Sequence, residues 1–236
     1  MKIACFWEHN GDDTLLFAVD FPGVFTRGES LGAAIAKMPA ELSAYLDWLG
    51  ESDSDACEVV IAQEKQSDLN IRDADSDAIF ESEEFPLSQK EYEDLKAVAL
   101  RSAKDLERLY RSVPDKERAL SPLRKTFYGH APHTAREMYE HTKSVNEYYF
   151  AEIGVTADNS GSIYECRKRG FEALEKQPDF LKRTAVEGSY GEYWSIRKML
   201  RRFIWHDRIH AKAMWRGANR EFGAEHIANP FCFLKA

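Results

Sequence analysis

Apolar positions along this chain follow two periods. Up to about residue 65 they form short runs broken by turn residues. Beyond about residue 88 they recur at spacings of three and four. Runs at 2–8 (KIACFWE), 14–21 (TLLFAVDF) and 57–64 (CEVVIAQE) predict strands, with Gly11-Asp12-Asp13 and Pro22-Gly23 as turns between them. Between the second and third runs lies a helical pattern. Ser30 is positioned to cap it, Leu31, Ile35, Met38, Leu42, Tyr45 and Leu49 form its apolar stripe, and Gly50 is a natural stop. Pro39 falls inside this helix, where it removes a hydrogen bond and is expected to kink it.

The second half predicts four helices. Each begins with Ser or Thr followed three residues later by Glu, the pair that caps a helix start reciprocally. The pairs are Ser88/Glu91, Thr134/Glu137, Ser162/Glu165 and Ser189/Glu192. The helices are expected over about 88–113, 134–152, 162–177 and 190–217. The second carries Met138, His141, Val145 and Tyr148 on one stripe. The fourth carries Ile196, Met199, Phe203, His206, His210 and Met214. The expected fold class is therefore a small α+β N-terminal domain followed by an all-α four-helix bundle. The boundaries are 1–72 for the first domain, 73–87 for an acidic linker and 88–236 for the bundle.

Charge sharpens that division. Residues 1–85 hold 19 acidic and 5 basic side chains, whereas residues 86–236 hold 21 acidic and 27 basic, so net charges of −14 and +6 combine to −8. The acidic half argues against binding a nucleic-acid backbone, which requires cationic contacts. Acidic runs at 51–55 and 73–86 read as solvated. The longest apolar runs fall far short of the roughly 20 residues a membrane helix needs, and the N-terminus does not read as a signal peptide. Cys5, Cys57, Cys166 and Cys232 are scattered without a CxxC pair, which suits a reducing cytoplasm rather than a disulfide framework.

Chemistry concentrates in FIWHDRIHAKAMW (203–215). His206 and His210 stand four apart, hence on one helix face, and on the stripe expected to point inward. His141 stands on the inward stripe of its own helix. Three inward imidazoles from two helices can meet around one divalent ion and leave coordination positions open, as in catalytic rather than structural zinc sites. The same residues also read as hydrogen-bonded core histidines if no ion is present. HDRIH is not the HExxH of metalloproteases, because Asp207 stands where the general-base Glu is needed. Asp207 lies about 100° around the helix from His206 and reads as surface, as do Arg201 and Arg202. His130 and His133 read as loop residues, or as an alternative ligand. Cys166 reads as a small buried hydrophobe.

Two stretches resemble known families. TAREMYEHTKSVNEYYF (134–150) and LRRFIWHDRIHAKAMW (200–215), within about 88–220, resemble the DinB/YfiT-like superfamily of metal-dependent proteins. The resemblance implies His141, His206 and His210 as the metal-ligand triad, an up-down-down-up bundle and homodimers. It also implies, for some members, transfer to a small-molecule thiol such as bacillithiol, mycothiol or a glutathione-like thiol. LLFAVDFPGVFTRGESLGAAIAKMPAELSAYLDWLG (15–50) resembles HicB-like antitoxin domains, which pair with other chains or neutralise a toxin RNase.

The expectation is a cytoplasmic metal-dependent hydrolase or thiol S-transferase with a zinc ion, or alternatively Ni, Fe or Mn, at the three histidines. It is expected to bind neither nucleic acid nor membrane. The alternative is a non-enzymatic interaction protein whose acidic N-terminal domain recruits a protein partner and whose bundle is a scaffold.

Overall fold

A computed structural model describes residues 1–11, 13–51, 57–73, 75–126 and 129–234. The chain divides into two compact units, Met1–Phe80 with Phe231–Ala236, and Glu81–Pro230. No helix among the described residues is long and apolar enough to cross a membrane.

In the first unit, β1 (Lys2–Asn10), β2 (Asp13–Ala18), β3 (Phe25–Gly28) and β4 (Glu58–Gln66) form one sheet in the order β3-β2-β1-β4, and α1 (Leu31–Leu49) packs on β2 and β3. β1 pairs antiparallel with β2 and parallel with β4, because the α1 crossover returns the chain in the β1 direction. α1 starts where Ser30 Oγ accepts from Ala33 N at 3.2 Å. It stops at Gly50, whose φ of 79° suits glycine. Met38, Leu42 and Tyr45 are buried as the stripe predicts, whereas Leu31, Ile35 and Leu49 are half-buried at its margins. The core is aromatic: Phe80 stacks on Phe6 at 4.9 Å between centroids, and Trp48 meets Phe231 at 5.2 Å.

That core draws in chain ends whose composition had pointed elsewhere. Residues 231–234, grouped with the bundle on sequence, belong to the first unit. The acidic run 73–86, expected to be solvated, buries Ser76, Ala78 and Phe80 in the first unit and Glu83 in the second. The acidic run 51–55 lies outside the described residues beyond Glu51.

The second unit holds α2 (Gln89–Ser112), the ribbon β5–β6 (Lys125–Thr126 with Gly129–His130), α3 (Ala135–Glu152) and α4 (Ile163–Glu175). The ribbon β7–β8 (Val186–Glu187 with Tyr193–Trp194) and α5 (Ile196–Phe222) follow. Reciprocal caps form at Ser88/Glu91, Thr134/Glu137 and Ser162/Glu165. α2 and α3 each pack on α4 and α5. Gly170 of α4 lets Phe150 of α3 approach; a Cβ there would stand 2.1 Å from the ring.

The expected all-α four-helix bundle in up-down-down-up order is corrected by this arrangement. The helices are too unequal for a simple bundle: α4 has 13 residues and α5 has 27, about 20 Å against about 40 Å. The connections carry two β-ribbons and 3-10 turns at 81–84, 180–182 and 189–191. Ser189/Glu192 does not start the last helix. Tyr190 (φ 60°) and Gly191 (φ 73°) are left-handed, which ends any helix there, and Trp194 pairs with Val186 in the ribbon. Ser195 is the cap instead, its Oγ accepting from Lys198 N at 3.1 Å.

Candidate metal centre

α5 runs through the middle of its unit, with 16 of its 27 residues buried, so its apolar surface extends far beyond a single stripe. His206 and His210 are one turn apart on it. α3 packs alongside and brings in His141. Met138, Thr142, Asn146 and Tyr149 form the buried stripe of α3, and His141, Val145 and Tyr148 lie on its half-buried flank. His206 is buried; His141 and His210 are half-buried, so the cluster has a closed side and a side nearer solvent.

The three imidazoles converge through the same ring atom. His206 Nε2 lies 3.2 Å from His141 Nε2 and 3.1 Å from His210 Nε2. The ring centroids of His141 and His210 are 4.7 Å apart. A ring nitrogen carries either one proton or one lone pair, so it makes one good hydrogen bond. His206 Nε2 has two short nitrogen neighbours and can satisfy only one of them that way. A cation among the three lone pairs satisfies them all. Two nitrogens held at about 2.0–2.1 Å by a tetrahedral ion stand about 3.3–3.4 Å apart, close to what is found here. The residues therefore fit a divalent ion that favours imidazole.

Electrostatics keep the imidazoles neutral, as ligation requires. Burial, then the neighbouring His210 and His141, hold His206 well below the ordinary imidazole pKa. Burial and His141 push His210 down to about 3. Burial also lowers His141.

A second polar network fixes α5 behind this cluster. Asp207, expected at the surface, is fully buried. Its Oδ1 accepts from Arg167 Nη2 of α4 at 2.9 Å, and its Oδ2 accepts from Arg167 Nη1 and, at 2.5 Å, from Ser102 Oγ of α2. Arg167 Nη1 also donates to Ala99 O at 3.0 Å, and its guanidinium lies 4.3 Å over the Phe203 ring. The residue beside His206 in sequence is thus clamped to two other helices. Phe203, Ile204 and Ala211, three or four positions either side of Asp207, are apolar, and that was the available signal that position 207 faces inward.

Arg201 and Arg202 also differ from their expected surface placement. Arg201 is buried against Glu83, with Nη2 2.9 Å from Oε2. Arg202 lies 5.2–5.5 Å over the rings of Tyr149, Trp194 and Trp205 and near Glu192. Tyr149 in turn stands 6.2 Å from His206 by ring centroids. Lys198 is buried with Nζ 3.0 Å from Glu192 Oε1 and 2.7 Å from Tyr193 O; burial draws its pKa down to about 8 although Glu192 opposes the shift. Cys166 is buried, and burial raises its thiol pKa, so it is not a poised nucleophile. His130 and His133 precede α3 and are not part of the three-histidine cluster.

Comparisons of this chain with protein-family models, with curated proteins and with solved structures find no match.

Proposed function

We propose that this protein binds a divalent transition-metal ion, zinc first among them, through Nε2 of His141, His206 and His210, and that the centre serves hydrolysis or transfer to a thiol. The observation that carries this reading is the pair of short nitrogen contacts, 3.1 and 3.2 Å, converging on the single His206 Nε2 atom. Three protein ligands leave a coordination position free for a reactant. All three are neutral, so none offsets the ion's charge, and an ion held there supplies a Lewis acid able to lower the pKa of water or a thiol.

The chain's own residues divide the remaining work. His206 anchors the centre from the buried side. His141 and His210 complete it from the half-buried side, which leaves the approach there. Asp207 and Arg167 hold the α5 backbone so that its two ligands keep their spacing. Arg202, close to Tyr149 and Glu192, supplies fixed positive charge one turn before His206.

Elemental analysis of untagged, dialysed protein tests the reading. The expected result is about one tightly held ion per chain, lost in the variant carrying His141→Ala, His206→Ala and His210→Ala. Equal metal content in the two proteins overturns it.

A further inference from the structure

A different group of ligating side chains stands at the start of α3. His130, His133 and Glu137 bring one ligand atom each to within 4.8 Å of one another. His133 Nδ1 is 2.6 Å from Glu137 Oε2, and His130 Nε2 is 3.5 Å from Glu137 Oε1. The two imidazole rings meet edge-on at 5.9 Å between centroids.

The backbone beneath these side chains is held from three directions. His130 pairs with Lys125 across the β5–β6 ribbon, and Ala131 N donates to Arg124 O at 2.8 Å just beyond it. His133 O accepts from Leu120 N at 2.7 Å, and His133 N donates to Glu137 Oε2 at 2.9 Å. Thr134 Oγ1 caps the helix by accepting from Glu137 N at 3.1 Å. The ligand-bearing backbone is therefore ordered before any ion arrives, while the His130 side chain is 56% exposed and that of His133 is half-buried, with Nδ1 on its covered side.

From this placement we propose that His130, His133 and Glu137 form a second, surface site for a divalent first-row transition ion, independent of the three-histidine centre. Two imidazole nitrogens and one carboxylate oxygen suit Zn²⁺, Ni²⁺ or Cu²⁺, whereas Mg²⁺ and Ca²⁺ prefer all-oxygen shells. Ligands on a tetrahedral ion stand about 3.3–3.4 Å apart, so the outermost pair closes by up to about 1.5 Å, a change that rotation of the exposed His130 side chain supplies. Glu137 Oε2 stays on the backbone N–H groups of His133 and Thr134, and Oε1, on the His130 side, faces the ion. The carboxylate also offsets the positive end of the helix dipole, which would otherwise repel a cation there.

Glu137 and His141 stand four apart on α3, so their backbone positions lie on successive turns of one helix, about 6 Å apart along its axis. Glu137 reaches back toward the helix start, away from His141. Bridged two-metal sites need ions about 3.5–4 Å apart, so these are two separate mononuclear centres. The surface ion ties the β5–β6 ribbon to the helix that carries His141.

Zn²⁺ titration of the untagged, metal-free full chain by calorimetry, repeated with Co²⁺ and its visible absorption, tests the second site. The expected wild-type result is two classes of site, about one equivalent each. His130→Ala with His133→Ala, which keeps the Glu137 cap, removes the weaker class and leaves the tighter one, with unchanged far-ultraviolet circular dichroism. His206→Ala with His210→Ala does the reverse. An unchanged two-class isotherm in the first variant overturns the surface site. A single wild-type class lost only in the second variant also overturns it while leaving the three-histidine reading intact. A single class lost only in the first variant supports the surface site and removes the three-histidine one.

Discussion

Asp207→Ala is expected to destabilise the helical unit by about 3–5 kcal/mol, the usual consequence of stranding one partner of a buried ion pair. Arg167 has no exposed surface, and Asp207 accepts from both its Nη1 and its Nη2. Removing the carboxylate leaves that guanidinium with Ala99 O and the Phe203 face, and it leaves Ser102 Oγ with Ala99 O as its remaining partner. For a unit of this size the melting transition falls by about 10 °C, measured by calorimetry or circular dichroism. The paired change Arg167→Met with Asp207→Leu recovers most of the loss, because the expense lies in the unpaired charge rather than in the missing bond. If Asp207→Ala melts like wild type, the clamp described for α5 is wrong. Zinc affinity reports the same coupling: it drops in Asp207→Ala, although Asp207 is not a ligand, and returns in the double variant.

Acidification of the metal-free protein produces the other large effect. His206 and His210 remain neutral in the fold well below the ordinary imidazole pKa, His210 to about 3, while in the unfolded chain they protonate near 6.5. Below that pH the unfolded state binds protons that the folded state refuses, so stability falls as pH falls. The loss begins as pH drops through about 6.5 and continues toward about 3. For His210 the slope approaches about 1.4 kcal/mol per pH unit, or about 1.6 kcal/mol in total between pH 6.5 and 5, and His206 adds to the loss in the same direction. Urea unfolding across that range reads it directly. A variant with His206→Gln and His210→Gln shows a flatter profile there. Equal slopes in the two proteins contradict the account. Bound zinc raises the wild-type midpoint near pH 7.

What was legible in the sequence was what local spacing encodes. Ser30 and Gly50 bound α1 because capping depends on residues within one turn, and the same holds for Ser88/Glu91, Thr134/Glu137 and Ser162/Glu165. The positions of His206 and His210 follow from their spacing, and the tertiary packing brings His141 to them. Long-range placement was not legible. Asp207 looks like a surface charge until Arg167 and Ser102 are known to face it, 40 and 105 residues away in the chain. Ser189/Glu192 satisfies the capping pattern, yet the left-handed Tyr190 and Gly191 turn the chain into a ribbon before α5 begins. Phe231 continues the basic helical half in sequence, but its partner is Trp48.

X-ray absorption at the zinc edge tests the central claim most directly, using protein loaded with one equivalent of zinc and carrying His130→Ala and His133→Ala so that only one centre can fill. The expected result is three imidazole nitrogens at about 2.0–2.1 Å with one oxygen ligand completing the shell, and loss of an imidazole when His210→Ala is added. A sulfur shell at about 2.3 Å, or an imidazole count that does not change with His210, would contradict it.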